Sequence, residues 1–296
     1  MLDDSKPTLL KNETSSAALR LSAAEKAPDC TLPDYMNPTV RVRNLVKIYG
    51  SGDKAERAVD HLSFDIAPGT ATALLGGNGA GKTTTMSMLL GLLTPTAGTA
   101  KVLGADMARD RYKVAARMNF SSPYVELPYR LTVRQNLTVF GKLYGVIRLE
   151  GRIRELADEL DLTRLLDRPS GQLSAGQKTR LTLAKALINR PEVLLLDEPT
   201  ASLDPDTGDY VRQYLADYLK QTGATMLLAS HNMPEVERLC EQVLMMKDGR
   251  IYDAGSPRQL IDRYGRENLE EVFLDIARSG RENDRKNDRE ADRENA

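Results

Sequence analysis

The chain has 296 residues, 41% of them hydrophobic and 28% charged, with a formal net charge of −1. That supplies one large or two modest cores, and the near-neutral balance argues against a polyanion-binding surface, so nucleic acid is not an expected partner. The two cysteines, Cys30 and Cys240, are far apart and lack metal-ligand spacing, which suits a reducing compartment and provides no disulfide framework.

Residues 1–38 are rich in Ser, Ala, Lys, Glu, Pro and Asp and have no sustained apolar period, so an unordered extension is predicted, with Cys30 inert inside it. The start is acidic where a secretory signal would be basic. From Val40 the pattern alternates as in a strand through Tyr49, and a second strand follows through Val59, Leu62, Phe64 and Ile66. Thr70 to Leu75 reads as a buried strand. It runs into Gly76, Gly77, Asn78, Gly79, Ala80, Gly81, Lys82, Thr83 and Thr84, and then a helix from Lys82 to Leu93. Glycines at 76, 79 and 81 let the backbone curl so that amide N–H groups and the helix's positive end face an anion. Lys82 adds charge for β- and γ-phosphates, and the Thr83 hydroxyl is placed to ligate Mg²⁺. Further on, Thr99 to Leu103 is extended, Asp110 to Met118 is predicted helical, and Met118 to Phe120 is a strand.

Residues 131–170 show helical spacing at Leu137, Phe140, Leu143, Ile153, Leu156 and Leu160 without a strand pattern, which predicts a small helical insertion. Val193 to Leu196 is an apolar run of the kind buried on both faces of a parallel sheet, and it is far shorter than the ~20 residues that span a bilayer. It ends in Asp197 and Glu198. The first carboxylate can reach Mg²⁺ through water, and the second can polarise an attacking water. Ser174 caps a helix running to about Asn189, presenting N–H groups and a hydroxyl to an anion. A helix from Pro205 carries Val211, Tyr214, Leu215 and Tyr218 as a packing stripe; Thr225 to Ala229 is a strand, ending at Ser230-His231, where a histidine can hydrogen-bond a γ-phosphate. Pro234 to Cys240 is a helix, Val243 to Asp253 a hairpin turning at Asp248-Gly249, and Pro257 to Tyr264 and Glu267 to Arg278 are helices. The charged run beyond Gly280 has no apolar residue and is predicted to be disordered.

At these residues the sequence resembles the ATP-binding subunit of an ATP-binding-cassette (ABC) transporter, over about residues 40–255 and with the motifs in the family's order. The resemblance implies an α/β P-loop NTPase core with a mixed sheet, an antiparallel β subdomain and a helical insertion. It divides the chain into the extension 1–38, an ATPase domain 39–255 with its helical part at about 131–170, terminal helices 256–279 and a charged tail 280–296. Gly76 to Thr84 corresponds to the Walker A loop, Leu194 to Glu198 to Walker B, and Leu173, Ser174, Ala175, Gly176 and Gln177 to the signature. Ala201 to Asp204 corresponds to the D-loop, His231 to the switch histidine, and Tyr49 to the aromatic that stacks on adenine.

The same resemblance implies ATP and Mg²⁺ as cofactors, with Lys82, Glu198 and His231 catalytic and Thr83 and Asp197 on the metal. It implies a head-to-tail dimer, of this chain or with a second cassette, in which Ser174 and Gly176 of one subunit close over the nucleotide of the other. A membrane-spanning permease is the implied partner, holding a cytoplasmic subunit at the inner face of the membrane. The absence of a regulatory barrel after the hairpin resembles the exporter branch; the alternative is a soluble cassette ATPase acting on nucleic acid or ribosomes. Three departures stand out. Gly77 takes a common proline's place, Ala175 replaces a signature glycine, and no glutamine lies between Met118 and Arg134, where the family carries one that touches Mg²⁺ and the membrane subunit. In its place a Ser122 hydroxyl or a water is expected to serve the metal side, and Tyr124 and Leu127 to serve as partner anchors.

Overall fold

The computed structural model describes residues 28, 30–33, 36–122, 125–201 and 203–276. The expectations for residues 1–27 and 277–296, and for Tyr124, lie outside the described residues. Among the described residues ten strands form two sheets. In the first, β1 (Val40–Tyr49) pairs antiparallel with β2 (Glu56–Ile66) and, on its other edge, with β4 (Ala97–Val102), which continues into β5 (Ala105–Asp106). The second contains β3 (Ala71–Gly76), β6 (Met118–Ser121), β7 (Val193–Asp197), β8 (Thr225–Ala229), β9 (Gln242–Lys247) and β10 (Arg250–Gly255). Its order is β10-β9-β3-β8-β7-β6, parallel throughout except for the β9-β10 hairpin, so the sheet is mixed as expected.

The twofold period of the central strands divides their side chains between two cores. Leu74, Val193, Leu195, Leu227 and Leu244 face the antiparallel sheet, meeting Val42, Leu45, Leu62 and Phe64 together with Met86, Met88 and Leu89 of α1 (Lys82–Leu89). Ala73, Leu75, Leu194, Leu196, Leu228 and Val243 face the other way, into helices. Burial on both faces explains why these strands read as unbroken apolar runs rather than alternating ones.

The helical layer comprises α2 (Val133–Leu143), α3 (Leu149–Glu159), α4 (Ala175–Leu187), α5 (Pro205–Thr222), α6 (Met233–Leu239) and α7 (Pro257–Tyr264), followed by a helix over 269–276. Thr132 with Gln135, Ser174 with Gln177, and Ser256 with Gln259 form capping boxes at the starts of α2, α4 and α7. Each box satisfies two backbone donors that a helix start otherwise leaves open. Leu137, Ile153, Leu156 and Leu181 join α2, α3 and α4 into one apolar cluster. Within α5, Val211, Leu215 and Tyr218 are buried, and the Tyr214 hydroxyl donates to Glu159 at 2.8 Å, so the tyrosine stripe is packing.

Three expectations change. The stretch 110–118 forms two single 3₁₀ turns, Arg111–Lys113 and Ala115–Arg117, because before Met118, which begins the next strand, Val114 is the one apolar side chain it buries and a longer helix has no face to cover. Cys30 is buried instead of lying in an unordered tail: its carbonyl accepts from Asp65 N at 2.9 Å, and Leu32 N donates to Asp65 Oδ2 at 2.8 Å. Asp65 is itself buried and held by Arg43 through bonds of 2.8 and 2.6 Å, so order reaches back beyond the expected boundary at residue 38. Leu127 is 8% exposed and belongs to the helical-side core, so it is no surface anchor.

One cation is buried where α4 crosses β6. Lys185 Nζ donates to Phe120 O at 2.7 Å and sits 4.5 Å from the Phe120 ring centre and 5.7 Å from that of Phe140. Burial pulls the ammonium down to about 8 from its ordinary 10.5. Between those values the unfolded chain holds a proton that the folded chain has released, so the contribution of Lys185 to stability rises with pH across the window. Urea unfolding of the parent and of Lys185→Met at pH 7.5 and pH 9.5 should show the parent gaining on the variant at the higher pH.

Candidate active site

The ends of four neighbouring strands stand level. Leu74 is opposite Ala229, Ala229 is opposite Asp197, and Leu196 is opposite Ser121. The loops leaving β3, β8, β7 and β6 therefore gather along the carboxyl edge of the sheet, the usual place for ligands in such folds. From β3, Gly77, Asn78 and Gly79 are exposed, Ala80 is buried, and Gly81 is the left-handed N-cap of α1 at φ 97°. Two glycines are sterically required. A Cβ on Gly76 would lie 2.5 Å from Met246 O, and one on Gly81 2.5 Å from Ala58 O. Gly77 has open space around an added Cβ and no positive φ. Lys82 spans the loop, donating to Gly76 O at 2.6 Å and Gly77 O at 3.0 Å, while Thr83 and Thr84 open the first turn of α1.

Asp197 closes β7, and Glu198 follows with φ 50°, a left-handed conformation that costs a non-glycine residue roughly 1 to 2 kcal/mol. This conformation turns the chain sharply, and Glu198 N donates to Ala229 O at 2.8 Å. Glu198 Oε1 then lies 2.6 Å from His231 Nδ1; the carboxylate is 17% exposed and the imidazole 71%. Asp197 Oδ2 accepts from the Ser122 hydroxyl at 3.4 Å. Burial raises the Asp197 carboxyl and the charge on Glu198 raises it further, against Ser122 and Lys82. Burial lowers the Lys82 ammonium, against Glu198 and Asp197. Two adjacent carboxylates facing one lysine leave a local excess of negative charge, a setting that favours a divalent cation.

The residues present fit Mg²⁺, a hard cation that takes oxygen donors and is commonly held by one or two carboxylates together with substrate phosphates and waters. Asp197 and the Thr83 hydroxyl are such donors. Among the described residues no cluster of three or more His, Cys, Asp or Glu could hold a metal by protein ligands alone.

Lys82, Asp197, Glu198, His231 and Ser122 thus share one edge. The other expected contacts sit elsewhere. Ser174 and Gln177 bond each other at the start of α4, with Ala175 and Gly176 in its first turn. Ala175 faces a cleft of about 220 Å³ whose lining includes Ser122, Asp197 and Glu198. Asp204 caps α5, accepting from Thr207 N at 3.0 Å, and hydrogen bonds from Thr207 hold its carboxyl below the ordinary range. Tyr49, 43% exposed at the end of β1, has the Lys47 ammonium 5.3 Å from its ring centre. Among the described residues no hydrogen bond or ion pair joins Tyr49, Ser174 or Asp204 to Lys82, Asp197 or Glu198. Sequence reasoning passed over Glu235, a buried carboxylate behind this edge whose position in the first turn of α6 reads as an ordinary helix-start acid.

Comparison with known proteins gives a consistent picture. The family model described as ABC transporter matches residues 59–201. The Nod factor export ATP-binding protein I of Paraburkholderia xenovorans is 41% identical over 217 residues, 73% of this chain and 70% of that protein. Its namesake in Cupriavidus metallidurans is 36% identical over 81% of this chain and 78% of its own length. Among solved structures, the ATP-binding subunit of an ABC transporter superposes with a TM-score of 0.73 at 25% identity, covering 81% of this chain and 99% of that one. A dimeric ATP-binding cassette in a post-hydrolysis state with ADP and Pi gives 0.69 at 25% identity, over 73% and 98%.

The glycine geometry separates two substitutions. Gly77→Ala is expected to raise stability by about 0.4 to 1 kcal/mol by restricting the unfolded chain, with ATP affinity retained. Gly81→Ala combines a backbone clash with a positive φ and should cost on the order of 1 to 3 kcal/mol or more. Thermal unfolding with and without nucleotide checks both.

Proposed function

The chain belongs to the ABC transporter family, and on that premise we propose that the carboxyl edge of its central sheet is the site of ATP hydrolysis, with Lys82, Glu198 and His231 as catalytic groups. The protein is an ATP-binding and ATP-hydrolysing subunit that powers export through a separate membrane-spanning partner. The observation that carries the site assignment is the 2.6 Å contact of Glu198 with His231 on the edge where Lys82 crosses the glycine loop.

In this reading the amides of residues 77–84 and the positive end of α1 bind the phosphates of ATP, and the Lys82 ammonium exchanges its two carbonyl partners for β- and γ-phosphate oxygens. Tyr49 offers its exposed ring to adenine. Glu198 takes a hydrogen bond from water and orients it for in-line attack, and its bond to His231 fixes the direction of the carboxylate. A ring nitrogen that close to a carboxylate carries the proton, so Nδ1–H points at Glu198 and holds the ring in one orientation. Thr83 and Asp197 would hold Mg²⁺, which would neutralise charge on the phosphate oxygens. The Ser122 hydroxyl on Asp197 occupies the role that the absent glutamine would share.

Two copies arranged head to tail complete each site. Ser174, Ala175, Gly176 and Gln177 at the positive end of α4, with Asp204, then face the nucleotide of the other copy. The dimeric cassette among the structural relatives supports this arrangement. No helix among the described residues is long and apolar enough to cross a membrane, which fits a subunit held at the inner face by its partner.

Glu198→Gln is expected to bind ATP and to hydrolyse it about 10² to 10⁴ times more slowly, the usual cost of losing a general base. With Mg-ATP the variant should shift from monomer to dimer in light scattering. Parent-level turnover, or an unchanged mass, would refute the respective assignment.

A further inference from the structure

Glu235 has no solvent exposure, and its two carboxylate oxygens reach different loops of the site. The Thr200 hydroxyl donates to Oε1 at 2.9 Å and the Ser230 hydroxyl donates to Oε2 at 2.6 Å. Thr200 is two residues beyond Glu198, and Ser230 immediately precedes His231. Since Glu198 and His231 touch at 2.6 Å, the chain and three hydrogen-bonded contacts close a ring through Glu198, Pro199, Thr200, Glu235, Ser230 and His231. Thr200 and Ser230 are buried like Glu235, so the far side of this ring lies in the protein interior, and the Glu198–His231 side is the more exposed one.

An acid at a helix start is commonly explained by the helix dipole, but here another side chain caps the helix. Asn232 Oδ1 accepts from Glu235 N at 3.3 Å, and Asn232 N donates to the Ser230 hydroxyl at 3.1 Å, which leaves the hydroxyl proton directed at Glu235. Burying a carboxylate costs several kcal/mol that only good hydrogen bonds offset, and both side-chain bonds of Glu235 go to the two catalytic loops. Burial pushes its carboxyl up, and the charge of Glu198 adds to this; Ser230, Thr200 and the Arg212 guanidinium act in the opposite sense.

We propose that Glu235 is a positioning residue for ATP hydrolysis: by tying the loop after β7 to the loop after β8 from behind, it sets the Glu198–His231 contact. The inference rests on the reading of Glu198 as the water-orienting base. Apart from the Glu198–His231 contact itself and the bond from Glu198 N to Ala229 O at the strand end, the ties through Glu235 are the only hydrogen bonds among the described residues that join the two loops. Slippage of about 1 Å between groups of this kind costs on the order of 100-fold in rate.

The test removes each tie singly. Thr200→Val and Ser230→Ala should each lower kcat about 10- to 100-fold, the range typical of outer-sphere supports, with KM for ATP unchanged. Glu235→Ala should lower it at least as far. Glu235→Gln, whose carboxamide can still accept from one hydroxyl and donate to the other, should recover most of the parent kcat. In a Glu198→Gln background, single-turnover rates should show no further loss from any of these changes, because the base whose position they set is already gone. Should Glu235→Ala fail to fold, the two hydroxyl variants decide the question alone. Parent-like kcat in both of them, or an equal proportional loss in the Glu198→Gln background, overturns the inference while leaving the site assignment intact. Parent-like hydrolysis by Glu198→Gln itself overturns both.

Discussion

The alignment of four strand ends is the constraint on which the site depends. A parallel ladder places neighbouring carbonyl ends side by side, and the pairings of Leu74, Ala229, Asp197, Leu196 and Ser121 keep β3, β8, β7 and β6 in step to within two residues of their ends. The register in turn is held by the double-sided burial of the strands, since a slip of one residue would exchange the two apolar sets facing the two cores. The geometry of the proposed site is therefore a by-product of core packing. The loops add only the last turn, and they do so with unusual backbone: Gly79, Gly81 and Glu198 all have positive φ.

The charges on this edge are arranged so that no group is at ease by itself. Burial weakens the lysine's hold on its proton and strengthens that of Asp197, while the opposite charges nearby restore both. Such a balance is tuned for a guest that is anionic at one end and brings a cation with it, and a nucleoside triphosphate with its metal has that character.

What was legible in the sequence was local. The glycine spacing before Lys82, the apolar run ending in Asp197-Glu198 and the serine caps are written in contiguous residues, and each produces the expected element. Where the outcome depended on a partner distant in the chain, the local pattern misled or was silent. Cys30 is ordered by Asp65, 35 positions away, and Leu127 reads as a loop residue until the helical insertion folds over it. The turns at 111–117 failed as a helix for lack of buried contacts, a property that periodicity in so polar a stretch does not reveal. Glu235 could be singled out only once Thr200 and Ser230 were seen to converge on it. Tyr49, Ser174 and Asp204 have sequence settings as distinctive as that of Lys82, yet their partners within the chain are local, which accords with roles completed by another molecule.

The buried ammonium of Lys185 has a mechanical meaning. α4 begins at Ser174, in the segment proposed to meet a second subunit, and its far half rests on β6 through a point charge lodged between two aromatic faces and one carbonyl. Attraction of a cation to a ring face depends strongly on distance and weakly on the direction of the stem that carries it. Lys185 ties the helix to Phe120 from inside the core, beside the bonds from Asn119 Nδ2 to Lys185 O and Asn189 Oδ1. Since Phe120 is followed directly by Ser121 and the Ser122 that bonds Asp197, this tie anchors the helix that begins at Ser174 to backbone two residues from the proposed site.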